Sequence, residues 1–217
     1  MQNGTLSDVV FWVFDLDNTL YPPEARLFDQ IEVRMTNWVM SCLKVDRAEA
    51  DRLRDQYWKA HGTTLAGLME HHDIDPTPYL TDVHEIDLRH LERDAELAAA
   101  ITNLPGRKIV YTNGSSRHAL RVTEARGLAG VFDAIYGVEH ANFRPKPERG
   151  AFESIFSLDG VDPKRAAMFE DEARNLQAPF EMGMKTIHVA KHKEPTDFIH
   201  HHTCDLTGFL RPLGVEI

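Results

Sequence analysis

The sequence predicts an α/β fold: a parallel sheet with helices on both faces, carrying an all-helical insertion. Three observations lead there. From about Leu104 onward, short β-branched or apolar runs alternate with helical stretches, the pattern of a sheet built from strand–helix–strand units. The run Val9–Phe14 is apolar without alternation, as expected of a strand covered on both faces. Residues 21–91 keep apolar residues at helical spacing with no β-branched run between them.

Taken in order, Val9–Phe14 is the first and most buried strand. The stretch Leu27–Leu43 places Leu27, Ile31, Met35, Trp38, Val39 and Leu43 along one helical face, and residues 47–61 continue as a second helix closed by Gly62. The segment Asp73–Pro78 reads as a loop within this helical unit. Arg107–Asn113, Phe132–Gly137, Ala166–Asp171 and Met184–Ala190 supply the remaining strands. Ser116–Arg126, Glu148–Leu158 and Ala173–Met182 are long enough to be crossover helices. The expected organisation is a core from residues 1–20 and 92–217, with residues 21–91 inserted as a cap over the carboxyl ends of the strands, where open α/β sheets bind ligands.

Composition narrows the function. The chain has 217 residues, 42% of them hydrophobic and 27% charged, as in an ordinary globular protein. A formal charge of −10, with no clustered Lys and Arg, argues against a nucleic-acid polymer or an anionic membrane as partner. Two cysteines, Cys42 and Cys204, make no disulfide framework, and no leader or spanning segment is recognisable, so a cytoplasmic location is expected. His200, His201 and His202 are consecutive and cannot easily face one ion, so they read as part of a solvated loop before a last short strand. Oligomeric state has no sequence signature here.

The chemistry lies at the strand ends. Asp15 and Asp17 follow the first strand two positions apart, and in extended backbone they point to the same side. Two carboxylates so close repel unless something positive lies between them; Mg²⁺, which prefers oxygen ligands, suits that role. A turn capped by Asp17, Asn18 and Thr19 explains Asp17 equally well when it is taken alone. The second strand runs into Thr112, Asn113 and Gly114 directly before a helix, where a hydroxyl and backbone N–H groups can face an anion. Lys146 stands between Pro145 and Pro147, and a fourth apolar strand ends in Glu170, Asp171 and Glu172.

The order D-x-D-x-T, strand-terminal Thr, Lys, then an acidic pair resembles that of the haloacid dehalogenase-like (HAD) hydrolases, and the resemblance runs from about Val9 to Leu210. It implies a Rossmann-like core with a helical cap and a Mg²⁺-dependent phosphomonoesterase. Carried onto this sequence, it makes Asp15 the nucleophile, Asp17 the general acid and base, and Thr112 and Lys146 the phosphoryl-binding pair, helped by Asn113 and Gly114. Asp15, the Asp17 carbonyl, Asp171 and Glu170 would hold the metal. The acid at position 17 favours phosphate chemistry, since halide departs without a proton. The strings "DLDNTLYPP", "TNGSSRH" and "FRPKPE" resemble the pyrimidine 5′-nucleotidase subgroup, which implies a nucleoside 5′-monophosphate as the small-molecule substrate. Phosphoglycolate, a sugar phosphate, or a β-phosphoglucomutase-like isomerisation are the alternatives. Tyr21, Trp38, Tyr57, Trp58 and His84 are candidates for the base pocket, and Arg117 and His118 for a place near the site.

Overall fold

A computed structural model describes residues 6–214; the expected core ran from residue 1 to residue 217, so its first five and last three residues lie outside the described ones. Six parallel strands form one sheet: β1 (Phe11–Phe14), β2 (Arg107–Tyr111), β3 (Ala134–Tyr136), β4 (Ala166–Glu170), β5 (Lys185–Val189) and β6 (His201–Thr203). Their order is β3-β2-β1-β4-β5-β6, so β1 lies inside the sheet, paired with β2 at Phe14↔Val110 and with β4 at Phe14↔Phe169. Side chains alternate across the pleat. Trp12, Phe14, Val110, Ala167 and Phe169 therefore enter one core, and Val13, Ile109, Tyr111 and Met168 enter the other. Burial on both faces is the reason β1 reads as a continuous apolar run.

Between β1 and β2 the chain forms α1 (Leu27–Leu43), α2 (Arg47–His61), α3 (Thr64–His72), α4 (Pro76–Val83) and α5 (Ala95–Thr102). Later come α6 (Ser116–Arg126), α7 (Arg149–Asp159), α8 (Gln177–Glu181) and α9 (Leu206–Leu210). Side-chain caps start many of them: Asp46 accepts from Glu49 N at 2.9 Å, Thr63 from Ala66 N at 3.1 Å and Ser115 from His118 N at 3.2 Å. No helix among the described residues is long and apolar enough to cross a membrane.

Three local expectations change. The segment Asp73–Pro78 is a loop only as far as Asp75, which caps Thr77 N at 2.9 Å; Pro76 then opens α4, because a proline in the first turn has no N–H to leave unpaired. Ala173–Met182 is a 3-10 turn, Ala173–Leu176, followed by the short α8, rather than one crossover helix. The histidine run is not wholly loop, since His201 and His202 lie in β6, paired with Ile187 and His188 of β5.

Candidate active site

Asp15 follows β1 directly, and its N–H still bonds Phe169 O at 2.9 Å, so the strand pairing holds its backbone in line with β4. Beyond it the chain turns: Leu16 O accepts from Thr19 N and Leu20 N, and Asn18 takes a left-handed φ of 57°. That turn separates the two aspartates.

Asp15 is 5% exposed and Lys146 only 1%. The Lys146 ammonium donates to Asp15 Oδ1 at 2.6 Å, to Glu170 Oε2 at 2.6 Å and to Tyr111 O at 3.1 Å, which matches its three protons to three acceptors. Asn113 fixes the lysine backbone from both sides: its amide oxygen accepts from Lys146 N at 2.8 Å and its amide nitrogen donates to Lys146 O at 3.1 Å. Glu170 Oε1 in turn accepts from Asn175 Nδ2 at 3.1 Å. One oxygen from each of Asp15, Glu170 and Asp171 lies within 4.8 Å of the others.

One ammonium cannot balance three carboxylates, and the surplus shows as proton affinity. Burial, then the Glu170 charge, pushes Asp15 up to about 8; burial, then Glu170 and Asp15, pushes Asp171 up to about 9. Such an oxygen-rich, under-neutralised cluster suits a hard divalent cation, and these three carboxylates are the residues that could hold one.

Asp17 lives in different surroundings. Its Oδ1 accepts from Tyr21 OH at 2.6 Å and lies 3.4 Å from His118 Nε2. Burial alone would raise its pKa, yet the His118 contact and charge, with the Tyr21 hydrogen bond, hold it below the usual carboxylate range. His118 stacks on His84 with centroids 4.3 Å apart, and His84 Nδ1 meets Ser115 Oγ at 3.1 Å. Burial, then the His118 charge, lowers His84 to about 3, so it is neutral at ordinary pH. A Cβ at Gly114 would be a tight fit, 3.3 Å from both His84 Nε2 and Thr112 Oγ1.

Asp15, Asp17, Thr112, Asn113, Gly114, Lys146, Glu170 and Asp171 all line one cavity of about 660 Å³. The structure thus brings together the eight residues expected to react, to bind the phosphoryl group or to hold the metal. Asp17 is not one of the three carboxylates whose oxygens gather within 4.8 Å of one another; its Oδ1 meets Tyr21 and His118 instead. The Asn113 side chain is oriented by Lys146, which engages its oxygen and one of its two N–H donors. Helices α1, α3 and α4 add an apolar lining of Phe28, Ile31, Met35, Leu65, Leu80 and Val83.

Of the aromatic candidates, Trp58 and His84 line the cavity. Tyr21 is committed to Asp17. Trp38 packs edge-on against Tyr79, and Tyr57 bonds His72 Nε2 at 2.7 Å; neither lines the cavity. Arg117 is exposed, 3.5 Å from Glu85, and lines a smaller neighbouring cavity. Arg54, Tyr79 and Arg174 line the main cavity and were not singled out in the sequence. Nothing local distinguishes Arg54 from Arg47 and Arg52 of the same helix, whose side chains stay on the surface. Arg174 joins α2 to the sheet end, donating to Trp58 O at 3.1 Å and Gly62 O at 3.2 Å while lying 3.9 Å over the Trp58 ring.

The family model described as haloacid dehalogenase-like hydrolase matches residues 12–183, spanning β1, the lysine loop and β4. The chain belongs to the haloacid dehalogenase-like hydrolases. This hydrolase is 28% identical over 187 residues to Phosphate metabolism protein 8 of Saccharomyces cerevisiae, over 79% of the present chain and 58% of the yeast protein. The chain thus spans little more than half of that relative's length. The structure of a HAD phosphatase from Thermococcus onnurineus superposes with a TM-score of 0.63 at 15% identity, over 95% of this chain and 98% of that one. A 2-haloacid dehalogenase from Pseudomonas syringae pv. Tomato gives 0.58 at 16%, over 93% and 96%. These structural matches establish the α/β HAD fold, which phosphatases and dehalogenases share.

Proposed function

We propose that this hydrolase is a divalent-cation-dependent phosphomonoesterase in which Asp15 is the nucleophile, acting on a nucleoside 5′-monophosphate beneath a cap formed by residues 21–91. The observation that carries the reading is the division of labour between the two aspartates. Asp15 belongs to the carboxylate cluster with Lys146, whereas Asp17 stands apart with Tyr21 and His118 as its partners. Paired carboxylates in contrasting environments are the mark of separate nucleophile and acid–base roles. A dehalogenase needs no acid at the second position, because halide leaves without a proton.

In the first half-reaction an Asp15 oxygen bonds to phosphorus as the bond to the leaving oxygen breaks, and Asp17 gives that oxygen its proton. The negative phosphoryl group beside Asp17 opposes the low proton affinity set by His118 and Tyr21. In the second half-reaction water attacks phosphorus, Asp17 takes the proton, and Asp15 leaves as a carboxylate. Thr112 Oγ1 and the Asn113 N–H would hold the phosphoryl oxygens, joined by Lys146 on exchange of one of its present bonds; the Gly114 N–H donates to Thr112 Oγ1 at 2.9 Å and so would orient that hydroxyl rather than meet the phosphate itself. Mg²⁺, held by Asp15, Asp171, the Asp17 carbonyl and, close by, Glu170, would neutralise charge on the phosphoryl group. The apolar cap wall and Trp58 suit a flat leaving group such as a pyrimidine nucleoside.

Phosphate release from UMP, CMP, purine monophosphates, phosphoglycolate and hexose phosphates, with Mg²⁺ or EDTA, tests the reading beside Asp15→Asn. Selective Mg²⁺-dependent release from the pyrimidine monophosphates, abolished in a folded Asp15→Asn variant, is expected. Near-normal release by that variant would overturn the covalent route, and release only from phosphoglycolate or sugar phosphates would overturn the substrate.

A further inference from the structure

Among the described residues, two groups of three side chains bring possible metal-ligand atoms within 4.8 Å of one another. One is the cluster of Asp15, Glu170 and Asp171; the other is His61, Glu70 and His71, at the corner between α2 and α3, and it takes no part in the chemistry above. His61 ends α2 four positions after Tyr57, and His71 lies in the last turn of α3 four positions after Gly67, so each pair shares a helix face. Gly67 lets the two helices approach, because a Cβ there would collide with the Tyr57 ring. That ring stacks on His71 with centroids 5.4 Å apart and planes 23° apart, meets His61 edge-on, and ties down His72 through its hydroxyl. The packing brings His61 Nε2 and His71 Nε2 to 3.1 Å from each other. On the other side of the His61 ring, Nδ1 lies 3.1 Å from Glu70 Oε2.

A carboxylate beside Nδ1 favours the proton on that nitrogen, which leaves a lone pair on His61 Nε2 facing His71. Either His71 Nε2–H donates to that lone pair, or both nitrogens are bare and share a cation. Distance allows the second arrangement: metal–imidazole bonds of about 2.0–2.1 Å place two ligands about 3.3 Å apart at a tetrahedral angle and about 2.9 Å apart at a right angle. The observed 3.1 Å falls between these values, so small ring rotations suffice. Imidazole nitrogens suit Zn²⁺, Cu²⁺ or Ni²⁺, whereas the all-oxygen cluster at Asp15 suits Mg²⁺. The site is also reachable, since Glu70 and His71 are exposed and the His61 side chain is 19% exposed.

We propose that His61 and His71 form a second metal site, on the cap, for Zn²⁺ or a related divalent transition cation, with Glu70 orienting His61 and water completing the coordination. The ion would staple α2 to α3 beside Gly62, whose carbonyl accepts from Arg174 at 3.2 Å. This assignment is independent of the phosphatase reading. The measurement is calorimetric titration of Zn²⁺ into the full chain in excess Mg²⁺, beside His61→Ala, His71→Ala and Glu70→Gln. Either histidine variant should weaken the binding of one Zn²⁺ by about tenfold or more, and Glu70→Gln by less. Affinity within about twofold of wild type in both folded histidine variants would refute the site. Cu²⁺ used as a paramagnetic probe reports the donor atoms directly. Coupling to two imidazole nitrogens in wild type, reduced to one in His71→Ala, is expected; the same nitrogen count in both would overturn the assignment. Because His71 is exposed, its alanine variant should fold, and Zn²⁺ should raise the Tm of wild type but not of His71→Ala. An equal rise in both would place the ion elsewhere and refute the proposal.

Discussion

Replacing Lys146 by Met removes the only cation bonded to Asp15 and Glu170 among the described residues while keeping most of the side-chain volume. In the native protein the ammonium meets both carboxylates at 2.6 Å, and all three groups are almost fully buried. Deleting one partner of a buried ion pair costs about 3–5 kcal/mol, because the remaining charge is left uncompensated. For a chain of 217 residues, each kcal/mol lowers Tm by roughly 2–4 °C, which gives a drop of about 6–20 °C. The deficit must depend on pH. Asp15 and Asp171 already bind protons up to about 8 and about 9, and losing Lys146 raises both further. A carboxylate whose folded pKa is raised makes the folded state hold more protons than the unfolded one, so its contribution to stability falls as pH rises toward the folded value. Calorimetry without divalent cations at pH 6 and pH 9 should therefore show a small deficit at the first and a large one at the second. Saturating Mg²⁺ should recover part of it. An unchanged Tm at pH 9, or a deficit equal at both pH values, would refute the view that Lys146 offsets a surplus of buried negative charge.

Two further outcomes are expected. Cation binding must displace protons from Asp15 and Asp171, so Mg²⁺ affinity should rise between pH 6 and pH 9 and fall about tenfold or more in Asp171→Asn; calorimetric titrations in buffers of different ionisation enthalpy would report the released protons, and a pH-independent affinity would remove both residues as ligands. Gly62→Ala should cost about 1–3 kcal/mol and depress kcat although Gly62 bears no functional group, because its φ is +86° and the new Cβ would sit 2.9 Å from Lys146 O; unaltered kinetics in a stable variant would show that the lysine loop yields without effect.

The strands and the residues that gather at the proposed site were readable because one physical demand wrote both. A strand covered on both faces needs a continuous apolar run, so Asp15, Glu170 and Asp171 stand out where such runs stop. Thr112 and Lys146 were legible for a similar reason, the first at a strand end and the second between two prolines. Residues placed by tertiary contact left weaker marks: His118 stood out by its position after the second strand alone, and Arg54 not at all. His118 reaches Asp17 across 101 positions, and Arg54 is told from the other arginines of α2 by the Thr36 and Glu32 partners that α1 brings to it. The prolines of 73–78 misled because Pro ends a helix interior but also opens a first turn, and only the Asp75 cap separates the two cases. Residues 95–102 form α5 without having carried any strong periodic signature of their own.

The position of β1 inside the sheet also sets an order of events during synthesis. Its two partners lie far downstream: Phe11 pairs with Arg107 and with Ala166. At translation rates of about 5–20 residues per second, β4 emerges roughly 10–30 s after β1. Through that interval an apolar strand waits for both neighbours, while the helices between β1 and β2 can already form from local contacts. The residues that would aim the nucleophile are thus made first and aligned last, and slow folding with exposure to aggregation is the toll of carrying the site on the earliest strand.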